Sequence, residues 1–176
     1  MTGGIVSYGG YVPRYRIAPK AIGAVWGSDG EAVGKSLNIR AKSVPGPDED
    51  VITMSVEAAR ACLARVPWVS PKDVGAIYVG SESHPYAVKP TSAMLVSALG
   101  VNHFCAAADL EFACKAGTAA MQIVAAMAES KQIKCGLAVG ADTAQSKPGD
   151  ALEYSAAAGA AAFVIPWIQE SRSDEA

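Results

Sequence analysis

The sequence predicts an α/β fold in which a mixed, mostly parallel five-stranded sheet carries helices on both faces. Of the 176 residues, 51% are hydrophobic and many are Ala or Gly, which suits helices packed closely on a buried sheet. Strand-like and helix-like segments alternate along the chain, as in α/β proteins. The strand segments are short and apolar throughout, as expected for a sheet covered on both faces.

The N-terminal region is predicted to begin with a strand over residues 4–12, kinked at its glycines. A short helix is expected over 18–26, followed by a loop-like stretch over 28–34. Residues 42–47 read as extended and end in Pro45-Gly46-Pro47, a strong break in regular structure.

The remaining elements follow from hydrophobic periodicity and from start and stop residues. Asp48-Glu49-Asp50 supplies capping acids for the next helix, and Pro67 lies just beyond its end. In chain order we expect a helix over 51–65, a strand over 74–80, a helix over 89–99, a strand over 104–109, a helix over 114–130, and strands over 135–141 and 157–165.

Cys114 is the first candidate for chemistry, because it stands where a predicted strand turns into the first turn of a predicted helix. Unpaired backbone N–H groups and the helix dipole favour a thiolate at such a position. A thiolate there can hold an acyl group as a covalent intermediate. The alternative is that the cysteine is small core filler.

Glu82 is the second candidate, because it follows the predicted buried strand 74–80. Ligand and catalytic groups collect at the carboxyl ends of strands in open α/β sheets, and a carboxylate there can act as a general base. His84 could instead be a base for Cys114, but we favour a hydrogen bond within its own loop. We interpret His103 as structural.

The long polar segment 142–150 follows another predicted buried strand. A plain connection would be shorter, which favours a functional role over a surface excursion.

Several classes of function are disfavoured. The segment Gly30–Ser36 resembles a phosphate loop, but three residues instead of four separate its glycines and no strand precedes it. It could still meet an anionic ligand through Lys35. A net charge of −2 argues against nucleic-acid binding, and no apolar run is long enough for a membrane span. Four scattered cysteines indicate reduced thiols in a cytoplasmic protein, without a disulfide framework or a zinc site.

Four segments together resemble archaeal-type 3-hydroxy-3-methylglutaryl-coenzyme A (HMG-CoA) synthase, of the thiolase superfamily. They cover nearly the whole chain and are Gly10–Ile17, Gly80–Pro90, Glu111–Gly117 and Gly140–Tyr154. The resemblance implies a thiolase-like half of a five-layer αβαβα fold, formed by residues 1–168. We expect residues 169–176 to be a polar, frayed tail.

The resemblance also implies a reaction. Cys114 takes the acetyl group of acetyl-CoA, and Glu82 removes a proton from the acetyl methyl group. The carbanion equivalent adds to acetoacetyl-CoA, and water releases the product, a step of the mevalonate pathway. Ala32, Val33 and Ser155 fall at the family's substrate-binding positions. No tightly bound cofactor and no metal are expected; coenzyme A thioesters are the substrates.

The chain departs from the family in length, because members are roughly twice as long. The second half supplies the histidine that protonates the acceptor ketone and much of the coenzyme A site. We therefore expect a second polypeptide to complete the site in trans, with self-association as the alternative. A thiolase could be a further partner in a complex.

Two other functions stay open. A thiolase or ketoacyl synthase would use histidines or a second cysteine in place of a glutamate such as Glu82. A non-catalytic scaffold half in an acyl-transfer complex would have no need for both Cys114 and Glu82.

Overall fold

The computed structural model describes residues 4–144 and 146–167. The expected tail 169–176 lies outside the described residues and stays a prediction. The strands are β1 (Ser7–Tyr11), β2 (Tyr15–Ile17), β3 (Lys42–Val44), β4 (Val74–Gly80), β5 (Ala106–Leu110), β6 (Cys135–Thr143) and β7 (Ala158–Pro166). The α-helices are α1 (Pro19–Trp26), α2 (Gly30–Ser36), α3 (Val51–Ala64), α4 (Thr91–Ala98) and α5 (Ala116–Glu129).

Five strands form the main sheet, in the order β1-β7-β6-β4-β5, and β2 pairs with β3 in a separate ribbon. The β4 strand runs parallel to β5 and β6, whereas β7 is antiparallel to both β6 and β1. Four of the five strands therefore point in the same direction and β7 alone is reversed. This confirms the predicted mixed five-stranded sheet, with two parallel and two antiparallel pairings.

Helices cover both faces of the sheet, as predicted. The larger core lies beneath α3 and α4 and includes the fully buried Val51, Leu95 and Leu137. The smaller core lies beneath α5 and is built on Ala120, Val124, Ala138 and Ile165. The sheet is thus a buried layer, which explains why its strands read as apolar throughout.

The α3 helix follows the prediction closely. Asp50 caps it, and its side chain accepts a hydrogen bond from the Thr53 backbone N–H at 2.8 Å. The side chain of Thr53 accepts in return from the Asp50 N–H, completing a capping box. Gly9 of β1 lies against this helix so closely that a Cβ would come within 2.2 Å of the Ala58 carbonyl oxygen. Gly9 is therefore a contact residue for α3 rather than a kink.

The expectation of a loop over 28–34 is wrong, because Gly30–Ser36 is helical. Asp29 caps this helix through the Ala32 N–H at 3.0 Å. A Cβ at Gly30 would lie 2.1 Å from the Pro19 carbonyl oxygen, and one at Gly34 would lie 3.0 Å from the Pro19 ring. The glycines that suggested a loop instead let α2 pack directly on α1.

Most of the other boundaries differ from those expected by one to three residues, and three of these differences concern the region around Cys114 and Asp142. The β5 strand begins at Ala106 rather than 104, and Phe104 is almost fully exposed before it. The α5 helix begins at Ala116, so Cys114 precedes it by two residues. The β6 strand continues to Thr143, because β7 pairs with it to that point.

Candidate active site

Cys114 lies in the turn that joins β5 to α5, and its side chain is exposed. The residue before it, Ala113, has a φ of 54°, in the left-handed region that costs a non-glycine residue roughly 1–2 kcal/mol. The Ala113 carbonyl accepts a hydrogen bond from the Ala116 N–H at 3.1 Å, which fixes the turn ahead of the helix. This strained conformation presents the thiol at the N-terminal end of a 14-residue helix, the positive end of its dipole.

Glu82 is brought to this turn by β4. Its carboxylate accepts a hydrogen bond from the backbone N–H of Ala113, the residue next to Cys114. The two predicted residues come from separate strands that end at the same edge of the sheet, because β4 and β5 are parallel neighbours. The structure thus unites Cys114 and Glu82.

Asp142, near the end of β6, holds the Glu82 segment in place. Its Oδ1 atom accepts hydrogen bonds from the Glu82 N–H at 2.9 Å, the Ser83 hydroxyl at 2.8 Å and the Ser81 hydroxyl at 3.1 Å. The Ser83 hydroxyl in turn accepts from the Thr143 N–H at 2.9 Å. Hydrogen bonds to a charged group are stronger than neutral ones, so this carboxylate fixes the backbone that carries Glu82.

Gly80 allows this close assembly. A Cβ at Gly80 would lie 2.4 Å from both the Ala116 carbonyl carbon and the Gly117 nitrogen, so β4 touches the backbone of the first turn of α5. A Cβ at Gly140 on β6 would lie 3.6 Å from the Gly117 Cα, which is an ordinary van der Waals distance. The strands can therefore approach the helix within backbone contact just below Cys114.

Two cavities meet at the thiol. The glutamate cavity measures about 620 Å³ and is lined by Glu82, Ser83, Ala113, Cys114, Asp142, Thr143 and Ala144. The glycine cavity measures about 360 Å³; Cys114 lines it too, together with Gly80, Gly140 and the residues from Ala157 to Gly159. A nucleophile, a carboxylate and space for a small substrate therefore occur together.

Comparison with known proteins identifies the family. A family model described as the thiolase N-terminal domain matches residues 46–160, well over half of the chain. The chain belongs to the thiolase N-terminal domain family.

The similar proteins are longer than this thiolase domain. Hydroxymethylglutaryl-CoA synthases of Thermoplasma volcanium and Archaeoglobus fulgidus are 62% and 58% identical to it over 162 residues, which are 92% of this chain. The same matches span only 46% and 47% of those proteins, so the chain covers about half their length.

Solved structures share the fold at lower identity. MvaS in complex with 3-hydroxy-3-methylglutaryl coenzyme A gives a TM-score of 0.85 at 24% identity, covering 94% of this chain and 40% of that one. A β-ketoacyl-acyl carrier protein synthase III from Thermus thermophilus gives 0.86 at 23% identity, covering 96% of this chain and 52% of that one. At these identities the likeness concerns the fold, and it confirms the thiolase-like architecture.

The other predicted ligand residues of the thiolase domain lie away from the thiol. Ala32 is exposed and Val33 half-buried on α2, and Ser155 is exposed after the short 3-10 helix Ala151–Tyr154. The Ser155 hydroxyl donates to the Leu152 carbonyl at 3.4 Å. None of these three residues lines either cavity at Cys114, so their role in binding stays a prediction.

His84 forms a hydrogen bond to the first residue of α4 rather than within its own loop. Its Nδ1 lies 2.9 Å from the Thr91 hydroxyl and 3.4 Å from the Asp109 carboxylate. Asp109 also accepts from the N–H groups of Thr91 and Ser92 at 2.6 and 2.9 Å, capping α4. His84 therefore ties the loop after Glu82 to α4. His103 lies exposed in the turn before β5.

Lys35 lines a separate cavity of about 410 Å³ between α1 and the turn after α2, together with Lys20, Glu31 and Arg40. Lys20 and Glu31 form an ion pair there at 2.9 Å. The Lys35 side chain thus belongs to a surface remote from Cys114 rather than to a phosphate loop.

All four cysteines are free thiols, and they differ in environment. Burial raises the pKa of the Cys62 and Cys105 thiols, and burial together with the Asp73 charge raises that of Cys135 to about 11. Only Cys114 of the four is classed as exposed. Reagents and substrates therefore reach this thiol first.

The described residues contain neither a metal-binding cluster nor a helix that could span a membrane. Within 4–144 and 146–167, no three His, Cys, Asp or Glu side chains are grouped so that they could hold a metal ion. Over the same ranges, no helix has the length and apolar character needed to cross a bilayer.

Ala113 and Gly80 were not singled out as site residues from the sequence, whereas Asp142 opens the polar segment 142–150 for which a functional role was expected. Asp142 had one usable signal, its place directly after a buried strand parallel to the strand that leads to Glu82. The strain at Ala113 had none, because alanine gives no warning of a positive φ.

Proposed function

We propose that this thiolase domain is the acyl-accepting half of an HMG-CoA synthase, an acyltransferase of the mevalonate pathway that acts in the cytoplasm. One observation carries the proposal: the Glu82 carboxylate is hydrogen-bonded to the residue next to Cys114, and both side chains line one cavity of about 620 Å³. The 62% identity to a hydroxymethylglutaryl-CoA synthase supports the same assignment.

The chemistry begins with acyl transfer. The Cys114 sulfur attacks the carbonyl carbon of acetyl-CoA, and coenzyme A leaves as its thiol with the proton from the cysteine. The positive end of the α5 dipole stabilises negative charge on the sulfur during this step. The exposure of Cys114 suits a substrate that delivers its acyl group from a long coenzyme A arm.

Carbon–carbon bond formation follows. The Glu82 carboxylate takes a proton from the methyl group of the acetyl-cysteine, and the resulting enolate carbon bonds to the ketone carbon of acetoacetyl-CoA. The ketone oxygen becomes an alkoxide and needs a proton, for which we assign a donor on a second half. Water then cleaves the thioester and regenerates the Cys114 thiol.

A second half would also cover an apolar surface. Only α5 among the described helices packs on its side of the sheet, whereas α3 and α4 share the other side. Tyr8 pairs with Phe163 at the β1–β7 edge and is 63% exposed. We propose that a polypeptide carrying the C-terminal half binds here; self-association is the alternative, and a thiolase could join the complex.

The proposal is tested by incubating the chain with acetyl-CoA and measuring its intact mass, alone and with the C-terminal half of a similar synthase. We expect an acetyl-sized mass increase located on Cys114 and absent from Cys114→Ala. Addition of acetoacetyl-CoA to the mixed halves should then release HMG-CoA. Absence of the adduct in both mixtures would refute the proposal, and acetoacetyl-CoA formed from acetyl-CoA alone would indicate a thiolase.

A further inference from the structure

The end of α1 and the turn after it contact the segment Gly149–Tyr154, which follows β6. The Trp26 indole N–H donates to the Glu153 carboxylate at 2.9 Å, and the same carboxylate oxygen accepts from the Gly149 N–H at 2.7 Å. The Ser28 and Tyr154 hydroxyls lie 2.7 Å apart, and Tyr154 is buried. A Cβ at Gly149 would lie 3.6 Å from the indole ring, so the ring packs on this glycine.

The segment Gly149–Tyr154 leads directly into a wall of the glycine cavity. Ala157, Ala158 and Gly159 come next in the chain and line that cavity together with Cys114. The far side of the wall is also held, because the Ser43 hydroxyl of β3 donates to the Ala158 carbonyl at 2.5 Å. The wall is thus supported by Trp26 and Ser28 on one side and by β3 on the other, and its residues Ala158 and Gly159 also pair with β6.

The N-terminal residues that support the wall precede the region that the thiolase N-terminal domain model matches. The thiolase N-terminal domain model matches residues 46–160, whereas Trp26, Ser28 and Ser43 all precede it. The catalytic turn and the cavity wall are inside the matched region, and their external support is not. A cavity shared by many acyl-transfer proteins can be adjusted in this way without any change in the catalytic turn.

We propose that Trp26, Ser28, Glu153 and Tyr154 form a brace that limits the size of the group Cys114 accepts. These are positioning and specificity-determining residues that act through the wall from Ala157 to Gly159. Loss of the brace frees the wall to move outward, and the cavity then admits bulkier groups on the sulfur. For acyl groups this inference rests on the proposed acyl-cysteine function; for simple alkylating reagents it does not.

The expected effect follows from the contacts removed. One net hydrogen bond changes an equilibrium by a factor of about two to ten. The variant Trp26→Phe keeps ring packing on Gly149 but removes the donor to Glu153, and Tyr154→Phe removes the hydroxyl that meets Ser28. The double variant removes two such bonds and should therefore raise the population of the displaced wall by about fourfold or more.

The test compares two alkylating reagents, iodoacetamide and the bulkier N-phenyl iodoacetamide, with the modification rate at Cys114 read by peptide mass spectrometry. The brace predicts that the ratio of bulky to small reagent rates rises by about fourfold or more in the double variant. Leu152→Ala is the matched control, because Leu152 lies in the same short helix and is 64% exposed. Its ratio should equal that of the unmodified chain.

An unchanged ratio in a double variant that still unfolds cooperatively would overturn the brace, as would an equal rise in Leu152→Ala. If the double variant is unfolded, the same ratio of rates is measured in Trp26→Phe and in Tyr154→Phe separately. A second measurement compares acetyl-CoA with butyryl-CoA as the donor to Cys114, and the brace predicts the same shift toward the larger group. If no acyl-CoA labels the unmodified chain, the proposed function fails, and the alkylation ratio still decides the brace.

Discussion

Substitution of Gly80 by alanine should move the catalytic turn. An added Cβ would lie 2.4 Å from the Ala116 carbonyl carbon and from the Gly117 nitrogen, both backbone atoms of α5. Ordinary carbon contacts begin near 3.4 Å, so strand and helix must separate by about 1 Å. Neither atom belongs to a flexible side chain, and the strain therefore falls on the position of the helix that follows Cys114.

The expected magnitude combines two opposing terms. Overpacking of this kind costs about 1–3 kcal/mol of stability, and the loss of glycine freedom in the unfolded chain returns about 0.4–1 kcal/mol. We therefore expect Gly80→Ala to lower the free energy of unfolding by roughly 1–2 kcal/mol. Misplacement of a reacting group by about 1 Å can cost on the order of 100-fold in rate.

Gly140→Ala is the matched control. Gly140 lies on the neighbouring strand and lines the same cavity, but its Cβ would meet the Gly117 Cα at an ordinary 3.6 Å. This variant should keep the stability of the unmodified chain or gain up to about 1 kcal/mol.

Urea unfolding followed by tryptophan fluorescence measures the stability term, and the rate of acetyl transfer to Cys114 measures the catalytic one. The reasoning requires Gly80→Ala to fall below Gly140→Ala in both measurements. If the two variants match in stability and in acetyl transfer, the close approach of β4 to α5 does not position the thiol.

Three further predictions concern the site and the core. Glu82→Gln keeps an oxygen that can accept the hydrogen bond from the Ala113 N–H but removes the proposed base. Acetyl-Cys114 should therefore still form, while the rate of deuterium exchange at its methyl group falls by about 10²- to 10⁴-fold. Exchange at the normal rate would exclude Glu82 as the base. Asp142→Asn weakens three hydrogen bonds to the segment Ser81–Ser83. We expect the free energy of unfolding, measured in urea, to fall by roughly 1–3 kcal/mol, and deuterium exchange at the acetyl methyl group to slow. An unchanged exchange rate would show that Asp142 does not position Glu82. The Cys135 thiol has its pKa raised from 9.0 to about 11, so the folded chain holds this proton more tightly than the unfolded chain. The protonated Cys135 thiol therefore contributes to the free energy of unfolding in full below pH 9, and this contribution is lost as the pH rises to 11. The free energy of unfolding should fall by roughly 2–3 kcal/mol over that range. A plot of the free energy of unfolding against pH should be flatter in this range for Cys135→Ala than for the unmodified chain. An identical slope would show that Cys135 is not the group responsible.

Local sequence patterns predicted most of the fold, because each pattern rests on neighbours a few residues apart. The α3 helix was found from its apolar period and its capping acids, and β4 from a short apolar run. The glycines of α2 misled the same reasoning, since glycine marks both a break in a helix and a close contact between helices. Only the position of Pro19 against Gly30 decides between these two uses.

Sequence patterns marked Cys114 and Glu82, which the structure brings together, but not the residues that support them. Cys114 and Glu82 were marked by their places after predicted strands. The hydrogen bonds that hold them join residues far apart in the chain: Asp142 and Glu82 are 60 residues apart, and Trp26 and Glu153 are 127 apart. No short-range pattern contains such a pair.

The order of residues by itself therefore determined most of the strands and helices and marked two side chains as candidates for chemistry, because propensity and periodicity act locally. The tertiary structure alone decided that Glu82 reaches the turn of Cys114, that Ala113 adopts a strained backbone, and that the N-terminal helices support the cavity wall. These facts depend on the order in which the strands pair and on backbone contacts across the sheet, and many different sequences satisfy the same local pattern without producing them.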